Sequence, residues 1–212
     1  MWIIEKCKKE KYMATEIYLG NPPQYVIDWI KAHSKPAIGP KTKITFADGD
    51  VKEYDWSGEI NDKTMTDAGL FDGSFPGWIK TPQTVEIGTN VTSIGNNAFL
   101  ECNSMMSVTI HDNVTTIGNF AFLMCYSLGS ITIPDGVTSI GSEAFSGCSG
   151  LTNVTIGNGV TSIGSNAFGS CSGLTSVTFS GKNKATVQGM ENYSWALKSG
   201  CVIHCKDGDI TI

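Results

Sequence analysis

Residues Val91–Lys182 read VTSIGNNAFLECNSMMSVTIHDN from Val91, VTTIGNFAFLMCYSLGSITIPDG from Val114, VTSIGSEAFSGCSGLTNVTIGNG from Val137 and VTSIGSNAFGSCSGLTSVTFSGK from Val160. These are four copies of one 23-residue phrase, with no insertion or deletion between them. Eight of the 23 places are identical throughout: Val at place one, Thr at two, Ile at four, Gly at five, Ala at eight, Phe at nine, Cys at twelve and Thr at nineteen. Places fifteen, eighteen and twenty are always apolar. Self-similarity at such a period marks a solenoid, in which each copy is one coil that cannot bury its apolar face alone and stacks on the next.

Within each coil, places seventeen to twenty alternate polar and apolar: Ser107-Val-Thr-Ile110, Ser130-Ile-Thr-Ile133, Asn153-Val-Thr-Ile156 and Ser176-Val-Thr-Phe179. That period predicts a strand with its apolar members inward. The Val and Ile of VTSIG supply a second inward-facing extended segment, and the Ala-Phe pair fills the interior from a short helical turn. Stacking then aligns Phe99, Phe122, Phe145 and Phe168 in one column and Cys102, Cys125, Cys148 and Cys171 in another. The four thiols are expected to be buried and free, acting as small hydrophobes. Outside, the same stacking places Ser107, Ser130, Asn153 and Ser176 in one ladder and Thr109, Thr132, Thr155 and Thr178 in the next. His111, at the variable place that follows, is counted with these rows as a candidate face residue. The Thr ladder has two readings, strand propensity with cross-strand packing, or a binding face.

The stretches Leu128-Gly-Ser-Ile-Thr-Ile-Pro134, Val137-Thr-Ser-Ile-Gly141 and Ala144-Phe145 to Cys148 follow the pattern LxxVxIPxxVxxIGxxAFxxC. This wording resembles the BspA-type leucine-rich repeat, and a partial copy, Thr84-Val-Glu-Ile-Gly-Thr-Asn90, precedes the first full one. The resemblance implies a bacterial surface protein that binds host proteins or other cells.

Composition narrows the classes. All 15 basic residues are Lys, and the net charge is −5. With no Arg to read guanine or phosphate in bidentate fashion, specific nucleic-acid binding is not expected. No apolar run approaches the ~20 residues of a membrane-spanning helix. Between Val91 and Lys182 the only charged residues are Glu101, Asp112, Asp135, Glu143 and Lys182.

Residues 1–12, MWIIEKCKKEKY, lack the apolar stretch of a secretory signal and are read as a tail or as lying upstream of a true start at Met13. Residues 13–80 are expected to form a small α+β module. In it Asn21-Pro-Pro opens a helix over 22–33 whose Val26, Trp29, Ile30 and His33 share one stripe. That stripe either packs on its own module or docks a partner or sister subunit. A hairpin follows over 42–60, turning at Ala47-Asp-Gly-Asp50. The eight acids from Asp48 to Asp72 show no calcium-loop spacing and read as a solvated face.

Residues 81–182 form the solenoid, and 183–212 its C-terminal cap. The cap holds a short helix from Lys184, a hairpin over Cys201–Ile212, and Trp195 over the last Phe. Cys201, His204 and Cys205 do not make a zinc site, because alternation puts His204 on the face opposite both thiols and a fourth ligand is missing. The three histidines, His33, His111 and His204, sit in unrelated segments, and neither a nucleophile elbow nor a P-loop occurs. The sequons at Asn90, Asn113, Asn153 and Asn192 matter only in a glycosylating compartment.

The sequence therefore predicts a β-rich solenoid with a small α+β N-terminal module and a β-hairpin cap, without cofactor or metal. Its expected role is non-enzymatic, binding a protein or glycan through the ladder face. The alternative is a phage or prophage virion part, a fibre tip or decoration protein attached through residues 13–56. Localisation follows the reading: cell surface by resemblance, or virion after cytoplasmic assembly.

Overall fold

A computed structural model describes residues 39–71, 78–190 and 195–212. The helix expected over 22–33, with Val26, Trp29 and Ile30, lies outside the described residues. From Gly39 onward the chain forms one compact unit.

Each coil contributes two strands. The VTSI segments β5 (Val91–Ile94), β7 (Thr116–Ile117), β9 (Ser139–Ile140) and β11 (Ser162–Ile163) pair parallel and in register in one sheet. The alternating segments β6 (Ser107–Thr109), β8 (Ser130–Ile133), β10 (Asn153–Ile156) and β12 (Ser176–Phe179) line the other side. Of these, β8, β10 and β12 pair parallel, so that Thr132, Thr155 and Thr178 stand opposite one another. Between β6 and β8 the ladder is interrupted. Pro134 has no N–H at the place from which Gly157 and Ser180 donate to the preceding coil, at 2.8 and 2.9 Å.

A third ladder joins the coils where the sequence reading places a helical turn. The segment between the strands is a run of tight turns whose N–H groups at places seven, nine and eleven point along the solenoid axis. Phe99 N donates to Ala121 O at 2.7 Å, Phe122 N to Ala144 O at 2.7 Å and Phe145 N to Ala167 O at 2.8 Å. Turning those groups outward requires a left-handed backbone at place seven, with φ of 57° at Asn97, 58° at Phe120, 53° at Glu143 and 54° at Asn166. Place eleven does the same at Glu101, Met124, Gly147 and Ser170.

Inside, the Phe rings stack with centroids 5.2, 5.1 and 5.4 Å apart and planes within 12° of parallel. The thiols are buried and free as expected. They also donate: Cys125 Sγ to Phe99 O at 3.2 Å, Cys148 to Phe122 O at 3.2 Å and Cys171 to Phe145 O at 3.0 Å. Each thiol thus ties its coil to the Phe carbonyl of the preceding one. Burial pushes the Cys125 thiol well above its ordinary value and that of Cys171 up to about 12, while at Cys148 the hydrogen bond with Cys125 acts first and burial second.

At the N-terminal side, strand pairing joins residues on both sides of residue 80. Strands β1 (Thr42–Phe46) and β2 (Val51–Tyr54) form the expected hairpin, but β1 also pairs antiparallel with β4 (Pro82–Glu86), which pairs parallel with β6. Strand β3 (Gly58–Ile60) pairs with β5 in the other sheet. Residues 42–60 thus give a strand to each side of the solenoid and close its first end. An open coil exposes sheet edges and apolar core, and these strands cover both. Helix α1 (Asp62–Asp67) is held by a capping box between Asn61 and Thr64. Trp78 then lies parallel to Phe99 at 6.4 Å, and its indole N–H donates to Leu100 O at 2.7 Å. Several of the acids are paired on the surface, Asp48 and Asp50 with Lys80, Asp55 with Lys41 and Asp67 with Lys63.

At the other end, helix α2 (Lys184–Gln188) leads to β13 (Val202–Cys205) and β14 (Gly208–Thr211). Strand β13 pairs parallel with β12, as a further coil does, and β14 folds back antiparallel. Trp195 closes this end as expected: its ring packs on Phe179, the last Phe of the chain, at 5.5 Å, and its carbonyl accepts from the Phe168 amide at 3.3 Å.

Two outcomes follow from this packing. Replacing Glu143, a left-handed residue, by the Asn that coils one and four carry at the same place raises stability by ~0.5–1 kcal/mol in chemical denaturation, because Asn tolerates that region better. For Cys171, the folded thiol holds its proton more tightly than the unfolded one. Stability is therefore full below the ordinary value of 9.0 and falls as pH rises toward about 12. The slope, about 1.4 kcal/mol per pH unit, is measured as the difference between wild type and Cys171→Ala in denaturation series across that window.

Candidate functional site

The outward-facing residues of the β6-to-β13 side form two rows. One holds Ser107, Ser130, Asn153 and Ser176, and the other Thr109, Thr132, Thr155 and Thr178. The intervening residues Val108, Ile131, Val154 and Val177 are buried, so alternation holds in all four coils. In the first two coils the row residues are exposed; Thr155, Ser176 and Thr178 are half-buried.

What separates these rows from other hydroxyl ladders is their lack of protein partners. The Thr at place two is spent on the fold: Thr115, Thr138 and Thr161 donate to the carbonyl one coil back at 3.1, 3.0 and 3.2 Å. Thr152 and Thr175 do likewise at 3.0 and 3.3 Å. By contrast, the hydroxyls of Ser107, Thr109, Ser130, Thr132, Thr155, Ser176 and Thr178 have no hydrogen-bond partner among the described residues. Asn153 alone is engaged, donating from Nδ2 to Thr152 Oγ1 at 2.9 Å.

Eight of the nine face residues named from sequence are thus brought together. His111 is not among them: it follows β6 at the strand's end, where its carbonyl accepts from Val114 N at 3.0 Å. The caps extend the rows beyond what the repeat frame shows. Register carries the Thr row to Glu86 and Lys43 at one end and to His204 and Asp209 at the other. Lys43 and Glu86 form an ion pair at 3.7 Å, and His204 Nδ1 lies 2.9 Å from Asp209. The sequence signal for these additions is the same alternation, in Lys43-Ile-Thr-Phe46 and Val202-Ile-His-Cys205. Its register against the coils is set only by long-range pairing. The middle of the face is uncharged and its ends are charged. Among the described residues there is no cluster of His, Cys, Asp or Glu fit to hold a metal ion.

Comparison with known proteins gives the same frame. Residues 75–195 match the BspA type leucine rich repeat region in six copies, two more than the four full copies that the in-register spelling shows. No match was found among curated proteins. Among solved structures, the pneumococcal vaccine antigen PcpA superposes with a TM-score of 0.51 at 20% identity, over 58% of this chain and 30% of that one. A leucine-rich repeat protein from Bacteroides ovatus gives 0.49 at 29% identity, over 75% and 36%. One from Eubacterium ventriosum gives 0.46 at 31%, over 50% and 28%. The chain spans about a third of the length of these proteins. With more than half of its residues in the matched region, the chain belongs to the BspA type leucine-rich repeat family.

Proposed function

We propose that this chain is a non-enzymatic interaction module that holds a surface protein or a glycan on the ladder face between Ser107 and Thr178. The observation that carries the reading is the contrast between hydroxyl ladders: those at places two and sixteen are consumed by coil-to-coil bonds, whereas those on the face, exposed or half-buried, have no hydrogen-bond partner among the described residues. A row of unpaired donors and acceptors on a rigid sheet is preorganised for a polar ligand, since little side-chain entropy remains to be lost on binding. Catalysis has no comparable support. The His204–Asp209 pair stands exposed on a hairpin, away from any convergent nucleophile among the described residues. The virion reading attaches the chain through residues 13–56, of which 13–38 lie outside the described residues, and no feature from Gly39 onward favours it.

The test places charge in the middle of the uncharged face. Thr132→Lys with Thr155→Lys is expected to weaken binding at least tenfold, measured by titration against the first ligand recovered from a glycan array or a cell-surface protein screen. Thermal unfolding should change little, because both side chains point outward. Unchanged affinity removes the face assignment.

A further inference from the structure

The face is not merely polar; it is periodic. Strands β8, β10 and β12 pair in register, so hydroxyls of one row repeat every ~4.8 Å along the solenoid axis, and the two rows lie ~6.7 Å apart across it. All the side chains in the track are short, and no taller residue interrupts it between Thr109 and Thr178. Charged groups stand only at its ends. The one lysine of the repeats, Lys182, is turned away into a bond with Asn158 O at 2.7 Å, so the track offers an anionic polymer no counter-ion.

A folded protein presents an irregular surface and gains nothing from identical contacts at a constant step. A linear polymer of one repeated unit does. In an extended, β-1,4-linked sugar chain each residue advances by close to one inter-strand spacing and carries hydroxyls along both edges of a flat ribbon. Such a ribbon can donate to and accept from both rows coil after coil. We infer that the face binds an uncharged, extended β-1,4-linked polysaccharide running along the solenoid axis, about one sugar per coil. This rests on the face assignment proposed above and adds to it the ligand's chemistry and direction.

Titration calorimetry with cello- and chito-oligosaccharides, from disaccharide to hexasaccharide, tests it on the full chain. Affinity is expected to rise roughly threefold to tenfold for each added sugar, as one net hydrogen bond per coil gives, until the ligand spans the four coils. A variant with the block Val137–Gly159 duplicated adds one coil, and its plateau should move by about one sugar; its unfolding curve shows whether the longer solenoid is intact. Affinity independent of length, a plateau that stays in place in the folded duplicate, or tighter binding of an anionic oligosaccharide overturns the inference. So does binding to neither series. If Thr132→Lys with Thr155→Lys still abolishes capture of another ligand, the face assignment survives that result. Length-dependent binding untouched by those substitutions overturns both.

Discussion

Every coil must have the same length because three backbone ladders run through it at once. The VTSI sheet, the turn ladder through the Phe amides and, from β8 onward, the face sheet join each copy to the next, and the side-chain bonds between equivalent places step by 23 residues, as from Thr138 to Thr115 and from Ser142 to Asn119. An extra residue anywhere shifts at least one ladder out of step and leaves N–H and C=O groups unpaired in a nearly dry interior, at ~1–3 kcal/mol each. The absence of insertions between Val91 and Lys182 is the sequence-level trace of that constraint.

The invariant residues follow from it. Phe at place nine stacks on its equivalents because in-register coils leave a fixed gap that a flat ring fills. Cys at place twelve meets two demands together, being small enough for a fully buried column and able to donate to the Phe carbonyl one coil back. Thr at place two recurs because its hydroxyl makes a coil-to-coil bond in addition to suiting a strand. The Thr of the face recurs without any such bond. Packing requires the first three kinds of repetition; the last suits strand propensity and cross-strand packing as well as the proposed binding face.

Much of this was legible in the sequence, because a repeated pattern carries its own register. The strand at Asn153-Val-Thr-Ile156, the Phe column and the buried thiols follow from alternation and a fixed period alone. Three things did not follow. The N-terminal closure was hidden because β1 recognises β4 by long-range antiparallel pairing, which no local period encodes. The turn ladder was hidden because left-handed φ falls on Phe120, Glu143 and Met124, residues with no intrinsic preference for it. His111 looked like a member of the face because it sits two places beyond Thr109, but β6 has already ended there.

If the shared offset is what holds the molecule together, coils should be removable as units. Deleting Val137–Gly159 joins Gly136 to Val160, restoring the frame with one coil fewer, whereas deleting one residue fewer leaves the ladders out of step. Denaturant unfolding of the two variants tests this most directly. The account predicts a folded, cooperative but less stable protein from the whole-coil deletion and loss of the cooperative transition from the shorter one. Equal behaviour of the two deletions contradicts it.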